Sequence, residues 1–245
     1  MTTPDALPDP ARAATPAVRR LSRRWPLISG LLAVLLAVLL GTLVVLRSTT
    51  RPLSIDTEWM DEIIEHRNPV WEVPSLVMNY LGAGTVGVFV IPVLIVLVLV
   101  VVKRPWAAGY YLIATVLSAT LVQLLKQFFG RDRPEDILVT ADFGSFPSGH
   151  VANAATMAVC LAVIVPRIWV LVAGLAYTAA MMLSRTYLGA HWLTDTIGGM
   201  LLGAGIAVVL WAPLAAKLQG ERQLASAHPF RERMRRAPNT DGPPA

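Results

Sequence analysis

Charged residues are scarce in this sequence: Asp, Glu, Lys and Arg together make up 15% of its 245 residues. Hydrophobic residues account for 55%, and the mean hydropathy is +0.57. Cysteine is nearly absent, because Cys160 is the single one, so no disulfide can form within the chain and the cysteine count indicates no compartment. This balance excludes a soluble domain with a large core and indicates a membrane protein with several spans.

Basic residues outnumber acidic ones, with a formal net charge of +5 and a pI of about 9.8. In a soluble protein this excess would suggest nucleic-acid binding. Here the basic residues cluster in the tails and short loops, which is typical of the positive-inside bias of membrane proteins. We therefore expect no nucleic-acid partner and expect contact with membrane lipids instead.

Composition divides the chain into three parts. Residues 1–25 are rich in Pro, Ala and Arg and predict a disordered basic tail. Residues 26–216 hold the apolar runs of a membrane domain, and residues 217–245 form a second basic, mostly disordered tail. The first apolar run is too long for a signal-peptide core and is followed by no small-residue cleavage site, so it is interpreted as a first span.

Six apolar runs predict six transmembrane helices in an all-α bundle. Gly82, Gly84 and Gly87 interrupt the second run, which predicts a bent entry into that span. The fourth run is short, but it suffices if it is extended by one residue or tilted. The runs cover residues 25–46, 73–102, 106–125, 151–165, 168–183 and 192–216.

The polar segment between the first two spans, residues 47–72, carries a helical pattern. Ile55, Trp59 and Ile63 recur every four residues among acidic side chains. This spacing places the three apolar residues on one face of a helix. The pattern predicts a short helix lying on the membrane surface between spans 1 and 2, with a plain loop as the alternative.

The distribution of basic residues predicts the orientation. Of the 21 Lys and Arg residues, fourteen lie in the two tails and in the turns at 103–104 and 167. The positive-inside rule then places both tails in the cytoplasm and the loops 47–72, 127–149 and 184–191 on the outer face. Short loops and an arginine- and alanine-rich composition favour a bacterial plasma membrane.

Three polar segments adjoin span ends on that outer face, and together they indicate a phosphate site. Lys126, Arg133 and Arg185 supply cations. Ser148 offers a hydroxyl and Gly149 allows close approach to backbone N–H groups where the fourth span begins. Cations around a helix N-terminus suit a tetrahedral oxyanion. Each part alone has a simpler explanation, such as an interfacial anchor or a helix cap, but their coincidence favours phosphate binding.

Two histidines adjoin this site. His191 and Asp195 are four residues apart, so on a helix the carboxylate can orient the ring. One histidine can then attack phosphorus while the other, His150, protonates the leaving oxygen. The pairing favours His191 as nucleophile, although the residues alone do not exclude reversed roles. Zinc binding by the three is the rival interpretation, which the nearby cations oppose.

The spacing of these residues resembles the three-part signature of the type 2 phosphatidic acid phosphatase superfamily. Six residues separate Lys126 from Arg133-Pro134; Pro-Ser-Gly-His follows at 147–150; Ser184-Arg185 precedes His191 by five residues, and three more lead to Asp195. The superfamily also contains soluble acid phosphatases and vanadate-dependent haloperoxidases, against which the six spans argue.

The resemblance implies roles for eight residues. His191 would be the nucleophile, Asp195 its partner and His150 the acid and base, without a metal or other cofactor. Phosphate contacts would come from Lys126, Arg133, Ser148, Gly149 and Arg185.

The expected activity is hydrolysis of a lipid phosphate or pyrophosphate on the extracytoplasmic face through a phosphohistidine. Undecaprenyl pyrophosphate, phosphatidylglycerol phosphate and phosphatidate are the candidate substrates. A lipid-phosphate phosphotransferase and a non-hydrolytic lipid-phosphate transporter are the alternatives. Phe128, Phe129, Phe143 and Phe146 either line a lateral substrate path or simply pack. The sequence does not indicate an oligomeric state.

Overall fold

A computed structural model describes residues 16–48, 52–82 and 84–227, and this part of the chain consists of helices and connecting loops without any strand. The predicted all-α class is therefore confirmed for the described residues. A π-helical turn at Val86–Val90 leads into α4. The α-helices are α1 Pro16–Ser48, α2 Ser54–Glu65, α3 Pro69–Gly82, α4 Ile91–Val101, α5 Pro105–Phe129, α6 Gly149–Ile164, α7 Ile168–Tyr187 and α8 Leu193–Ala227.

Four of these helices, α1, α5, α7 and α8, are long and apolar enough to cross a membrane. The pair formed by α3 and the segment Val86–Val101 makes a fifth candidate span, bent by 48°, which agrees with the predicted bent entry. Helix α6 is apolar but has only 16 residues, fewer than the roughly 20 that cross a bilayer core. It packs against α5, α7 and α8.

The first and last helices extend into segments that were predicted to be disordered tails. Helix α1 begins at Pro16 and α8 continues to Ala227, so 16–25 and 217–227 are helical where disorder was predicted. Contacts explain the extension of α8, since Glu221 accepts hydrogen bonds from the backbone N–H groups of Trp106 (2.6 Å) and Ala107 (3.0 Å). Glu221 thereby caps the start of α5. The rest of both predicted tails lies outside the described residues.

The predicted helix between spans 1 and 2 is present as α2, and it packs against α7 and α8. Its packed face differs from the predicted apolar row, because Asp56 and Met60 are buried whereas Ile55 is 53% exposed. The side chain that α2 buries most completely is therefore a carboxylate.

Glycines bring α8 close to its neighbours within the chain. A Cβ on Gly203 would overlap the carbonyl oxygen of Ala152, so α6 and α8 touch backbone to backbone there. As a result the first turns of the two helices lie side by side, and the Ser148 N–H donates to the backbone oxygen of Asp195 at 3.0 Å. This contact brings the polar segment that contains Ser148 next to the one that contains Asp195.

Candidate active site

All eight predicted residues gather at the end of the bundle where α5 and α7 finish and α6 and α8 begin. A cavity of about 480 Å³ opens there. Ser148 and Asp195 are buried behind its wall. The cavity is lined by Lys126, Arg133, Gly149, His150, Arg185 and His191, together with apolar residues that include Val88, Ala119 and Val122.

The cations come from helix C-termini and from the loop after α5. Lys126 lies in the last turn of α5 and Arg185 in the last turn of α7, where the helix dipole favours positive charge. Gly130 ends α5 in the left-handed conformation, with φ of 57°, and turns the chain towards Arg133. Arg133 is fixed by the backbone oxygens of Ala190 and Gly144, the latter at 2.9 Å.

His191 lies between Asp195 and these cations. Its Nδ1 is 3.5 Å from Oδ2 of Asp195, which is longer than a normal hydrogen bond, and its Nε2 is 3.5 Å from Nη1 of Arg133. The same carboxylate oxygen accepts the Trp192 N–H at 2.9 Å, as in a capping box at the start of α8. Asp195 therefore caps its helix and faces the imidazole at once. Nε2 is the ring nitrogen that is directed towards the cations.

The environment of His191 keeps its ring neutral. Burial first, and the positive charge of Arg185 second, lower the pKa of His191 well below its ordinary value. A neutral imidazole retains a lone pair at neutral pH, which a nucleophile requires.

Ser148 and His150 begin α6 with polar atoms turned inward. Ser148 occupies the N-cap position, yet its hydroxyl makes no capping hydrogen bond. Within the described residues neither Ser148 Oγ nor His150 Nε2 has a hydrogen-bond partner, although both atoms are buried. Buried polar atoms are normally paired, so a simple capping role does not explain Ser148. Both atoms are available to an oxyanion at the N-terminus of α6.

Arg185 is held by a residue of the bent span. Its Nη1 donates to the side-chain oxygen of Asn79, whereas its Nε has no hydrogen-bond partner among the described residues. Asn79 was not anticipated, because a single amide in an apolar run has no pattern that distinguishes it from a residue paired within its own span.

Asp142 is a second residue that the sequence analysis missed. Its carboxylate accepts from Lys126 Nζ at 2.8 and 3.0 Å and from Arg133 Nη2 at 2.8 Å. Burial would raise the pKa of Asp142, but Lys126 and Arg133 together hold it below the ordinary value. The side chain is 56% exposed. One acid in a loop without periodicity gave no usable signal, because its contacts with Lys126 and Arg133 depend on how the loop folds.

The four phenylalanines do not line the cavity. Phe129 and Phe146 are buried and pack edge to face at 5.4 Å between ring centroids. Phe128 and Phe143 are 79% and 71% exposed. Phe129 and Phe146 therefore pack within the protein, which was the alternative to lining a substrate path.

The chain matches the PAP2 superfamily over residues 107–217, a region that contains all eight residues. A lipid A 1-phosphatase of Rhizobium johnstonii is 31% identical over 113 residues, which cover 40% of this chain and 44% of that protein. An undecaprenyl-diphosphatase of Sulfolobus acidocaldarius is 40% identical over 62 residues, covering 25% of this chain and 30% of that protein. The chain thus spans less than half the length of these curated relatives.

The fold is similar to a crystal structure of a transmembrane PAP2-type phosphatidylglycerolphosphate phosphatase from Bacillus subtilis. The TM-score is 0.63, the sequence identity is 22%, and the superposition covers 82% of this chain and 98% of that chain. At this identity the likeness shows the fold alone. It extends beyond the region that the family comparison matches.

Proposed function

The chain belongs to the PAP2 superfamily, and on that premise we propose that it is a membrane enzyme that hydrolyses lipid phosphates or pyrophosphates through a phosphohistidine. The observation that carries the proposal is the position of His191, whose Nε2 is directed towards Arg133 while Asp195 lies behind Nδ1. A buried, neutral imidazole beside three cations suits attack on phosphorus better than it suits simple anion binding.

The reaction proceeds in two steps. Nε2 of His191 attacks phosphorus, an N–P bond forms, and the bond from phosphorus to the leaving oxygen breaks as a protonated His150 gives its proton to that oxygen and becomes neutral. Water then attacks the phosphohistidine, His150 takes up the proton of that water, the N–P bond breaks, and phosphate leaves. Lys126, Arg133 and Arg185 stabilise the charge on the equatorial oxygens in both steps.

The cavity favours a lipid as the bearer of the phosphate. Its polar end carries the cations and histidines, and its wall includes Val88, Ala119 and Val122. An acyl or prenyl chain fits beside such a wall while the headgroup reaches His191. The relatives named above act on different lipids that share a terminal phosphate. The substrates to rank are therefore undecaprenyl pyrophosphate, phosphatidylglycerol phosphate, phosphatidate and lipid A 1-phosphate.

The proposal includes a topology of six spans with α6 as the fourth, both termini in the cytoplasm and the active site outside. The distribution of basic residues supports it. A reporter fused after Val165 should then report cytoplasm, and one inserted within 135–145 should report the outside. The opposite pattern would invert the orientation.

The deciding experiment measures inorganic phosphate release from the four lipids in detergent with EDTA present. Wild type should release phosphate, and His191→Ala should be inactive at unchanged melting temperature. His66→Ala is the matched control, because His66 is exposed at the end of α2 and should behave as wild type. Activity retained by folded His191→Ala would reject the nucleophile. Folded wild type that releases no phosphate would favour a phosphotransferase lacking its acceptor or a transporter.

A further inference from the structure

Asp56 is a buried carboxylate on a helix whose other acidic side chains point outward. It is 0% exposed, whereas the other acids of α2 are all exposed, namely Glu58, Asp61, Glu62 and Glu65. Burying a charge costs several kcal/mol unless it is paired and hydrogen-bonded. Asp56 does not line the cavity, so phosphate binding does not explain its burial.

The partners of Asp56 lie at the start of α8 and in the loop after α5. Oδ1 of Asp56 accepts the Thr194 N–H at 2.9 Å. Oδ2 accepts from the Thr194 hydroxyl at 2.7 Å and from Nη2 of Arg131 at 2.7 Å. Both carboxylate oxygens are therefore used, and both connect α2 to the residues next to Asp195.

Arg131 joins the two buried carboxylates. While Nη2 bonds to Asp56, Nη1 bonds to Oδ1 of Asp195 and, at 2.9 Å, to Oγ1 of Thr194. The guanidinium lies over the Trp192 ring, 5.5 Å from its centroid. Although Arg131 lies between Lys126 and Arg133 in sequence, it does not line the cavity and instead lies behind His191.

This arrangement determines the charge that Asp195 presents to His191. Two carboxylates and one guanidinium leave one net negative charge on the group. If Arg131 were paired with Asp195 alone, the two charges would cancel and the imidazolium character that develops during attack would be stabilised less. The shared hydrogen bonds also fix the Asp195 carboxylate, whose other oxygen faces His191.

We propose that Asp56 and Arg131 are positioning residues for the His191–Asp195 pair, so that the short helix α2, which lies outside the matched region 107–217, completes the catalytic apparatus. The pair holds the Asp195 carboxylate in place and keeps its negative charge effective towards the imidazole. Neither residue touches the substrate, so the pair acts on the chemical step and leaves phosphate binding unchanged.

The test is Asp56→Asn, compared with Asp61→Asn, which makes the same change at an exposed position of the same helix. Asp56→Asn should lower kcat about 10- to 100-fold, with KM and the affinity for inorganic phosphate within about twofold of wild type. Asp61→Asn should match wild type in all three. A folded Asp56→Asn variant with wild-type kcat, or one that changes KM alone, would overturn the proposal.

Two further variants separate positioning from general support of the fold. In an Asp195→Asn background, Asp56→Asn should reduce kcat no further, because it acts through Asp195; a multiplicative loss would overturn the proposal.

If Asp56→Asn is too unstable, Asp56→Leu combined with Arg131→Met removes the whole ion pair, which proteins often tolerate. That double variant keeps one net negative charge beside His191 but removes the hydrogen bonds that hold Asp195, so its loss should be confined to kcat. Wild-type kcat in it would overturn the positioning role.

The inference rests on the proposed function, and wild type and His191→Ala are therefore assayed in the same series. A wild-type enzyme inactive on every lipid would reject the proposed function. An active wild type together with an unaffected Asp56→Asn would reject only the role of Asp56.

Discussion

The two sides of His191 differ in how their polar atoms are paired. On the cavity side Ser148 Oγ, His150 Nε2 and Arg185 Nε are buried without a partner among the described residues. On the opposite side Arg131 donates to the carboxylates of Asp195 and Asp56, and Arg131 and Asp56 each bond to Thr194. Unpaired buried groups are costly and await a ligand, whereas a satisfied network rigidifies what it contains. The comparison indicates a binding side and a fixed side that serve one imidazole.

The largest effect should follow from breaking the fixed side at Asp195. Asp195→Asn keeps the shape of the side chain, but it leaves one acceptor oxygen for two donors, Arg131 and the Trp192 N–H, and it removes the charge that faces His191. We expect kcat to fall about 10³- to 10⁴-fold, as when the orienting aspartate of a serine protease is replaced, with little change in KM. Steady-state kinetics on the best lipid of the panel measure this. Asp132→Asn, at an exposed neighbour, is the control, and a loss under tenfold would contradict the role of Asp195.

Breaking the binding side at Arg185 should give a smaller loss. Arg185→Lys keeps a positive charge but loses the planar fork that would contact two phosphate oxygens in the proposed complex. We expect kcat/KM to fall about 10²-fold, with weaker binding of inorganic phosphate. Arg167→Lys, on the exposed turn between α6 and α7, should leave both unchanged. Unaltered phosphate affinity in Arg185→Lys would place Arg185 outside the binding side.

Gly203 allows the distance between the two sides to be changed without replacing a residue of either side. Helix α6 carries Ser148 and His150, α8 carries Asp195, and a Cβ on Gly203 would push the two backbones apart. We expect Gly203→Ala to lower both the melting temperature and, about tenfold, kcat/KM. Gly220→Ala adds the same atom on the same helix with nothing within 4 Å, and should preserve both. A Gly203→Ala enzyme with wild-type kinetics would show that the spacing of α6 and α8 is not critical.

The cavity side was largely predictable from sequence, but on the fixed side only Asp195 was. Lys126, Arg133, Arg185 and His191 are conspicuous because charged residues at the ends of apolar spans are costly without a function. Asp56 lies in a segment whose apolar row, Ile55 onward, suggested a different packed face. Its pairing with Arg131 depends on how α2 docks on α7 and α8, a long-range contact that the local pattern does not encode.

Helix ends were predictable only where they depend on local chemistry. Gly130 is such a local signal, because its left-handed conformation ends α5, although the predicted run stopped at residue 125. The continuation of α8 to Ala227 was missed, because it is stabilised by the contact of Glu221 with the start of α5.

The pH dependence of kcat/KM tests the environment of the His191 ring. Burial and the cations lower the pKa of His191, so its neutral, reactive form persists as pH falls through about 6.5, where an ordinary histidine protonates. We expect kcat/KM to stay level through that range and to decline only at lower pH. The second ionisation of each lipid phosphate also affects kcat/KM in this pH range. Its pKa is therefore measured by ³¹P NMR, and the profile is corrected for it. A fall in kcat/KM centred near 6.5 as the pH is lowered, after that correction, would mean that burial and the cations do not lower the pKa of His191.

The smallest expected effect concerns Asp142, the one carboxylate that the described residues place against the cations of the binding side. Its oxygens lie where phosphate oxygens would contact Lys126 and Arg133, so the two compete for the same donors. Because the side chain is 56% exposed, each ion pair contributes only about 0–1 kcal/mol. From the middle of that range for the two pairs, Asp142→Asn should lower KM and strengthen inorganic phosphate binding about fivefold, with kcat nearly unchanged. Asp136→Asn, on the exposed part of the same loop, is the matched control. A rise in KM would instead show that Asp142 holds Lys126 and Arg133 in position for the substrate. Asp142 would then be a positioning residue and would not compete with the phosphate.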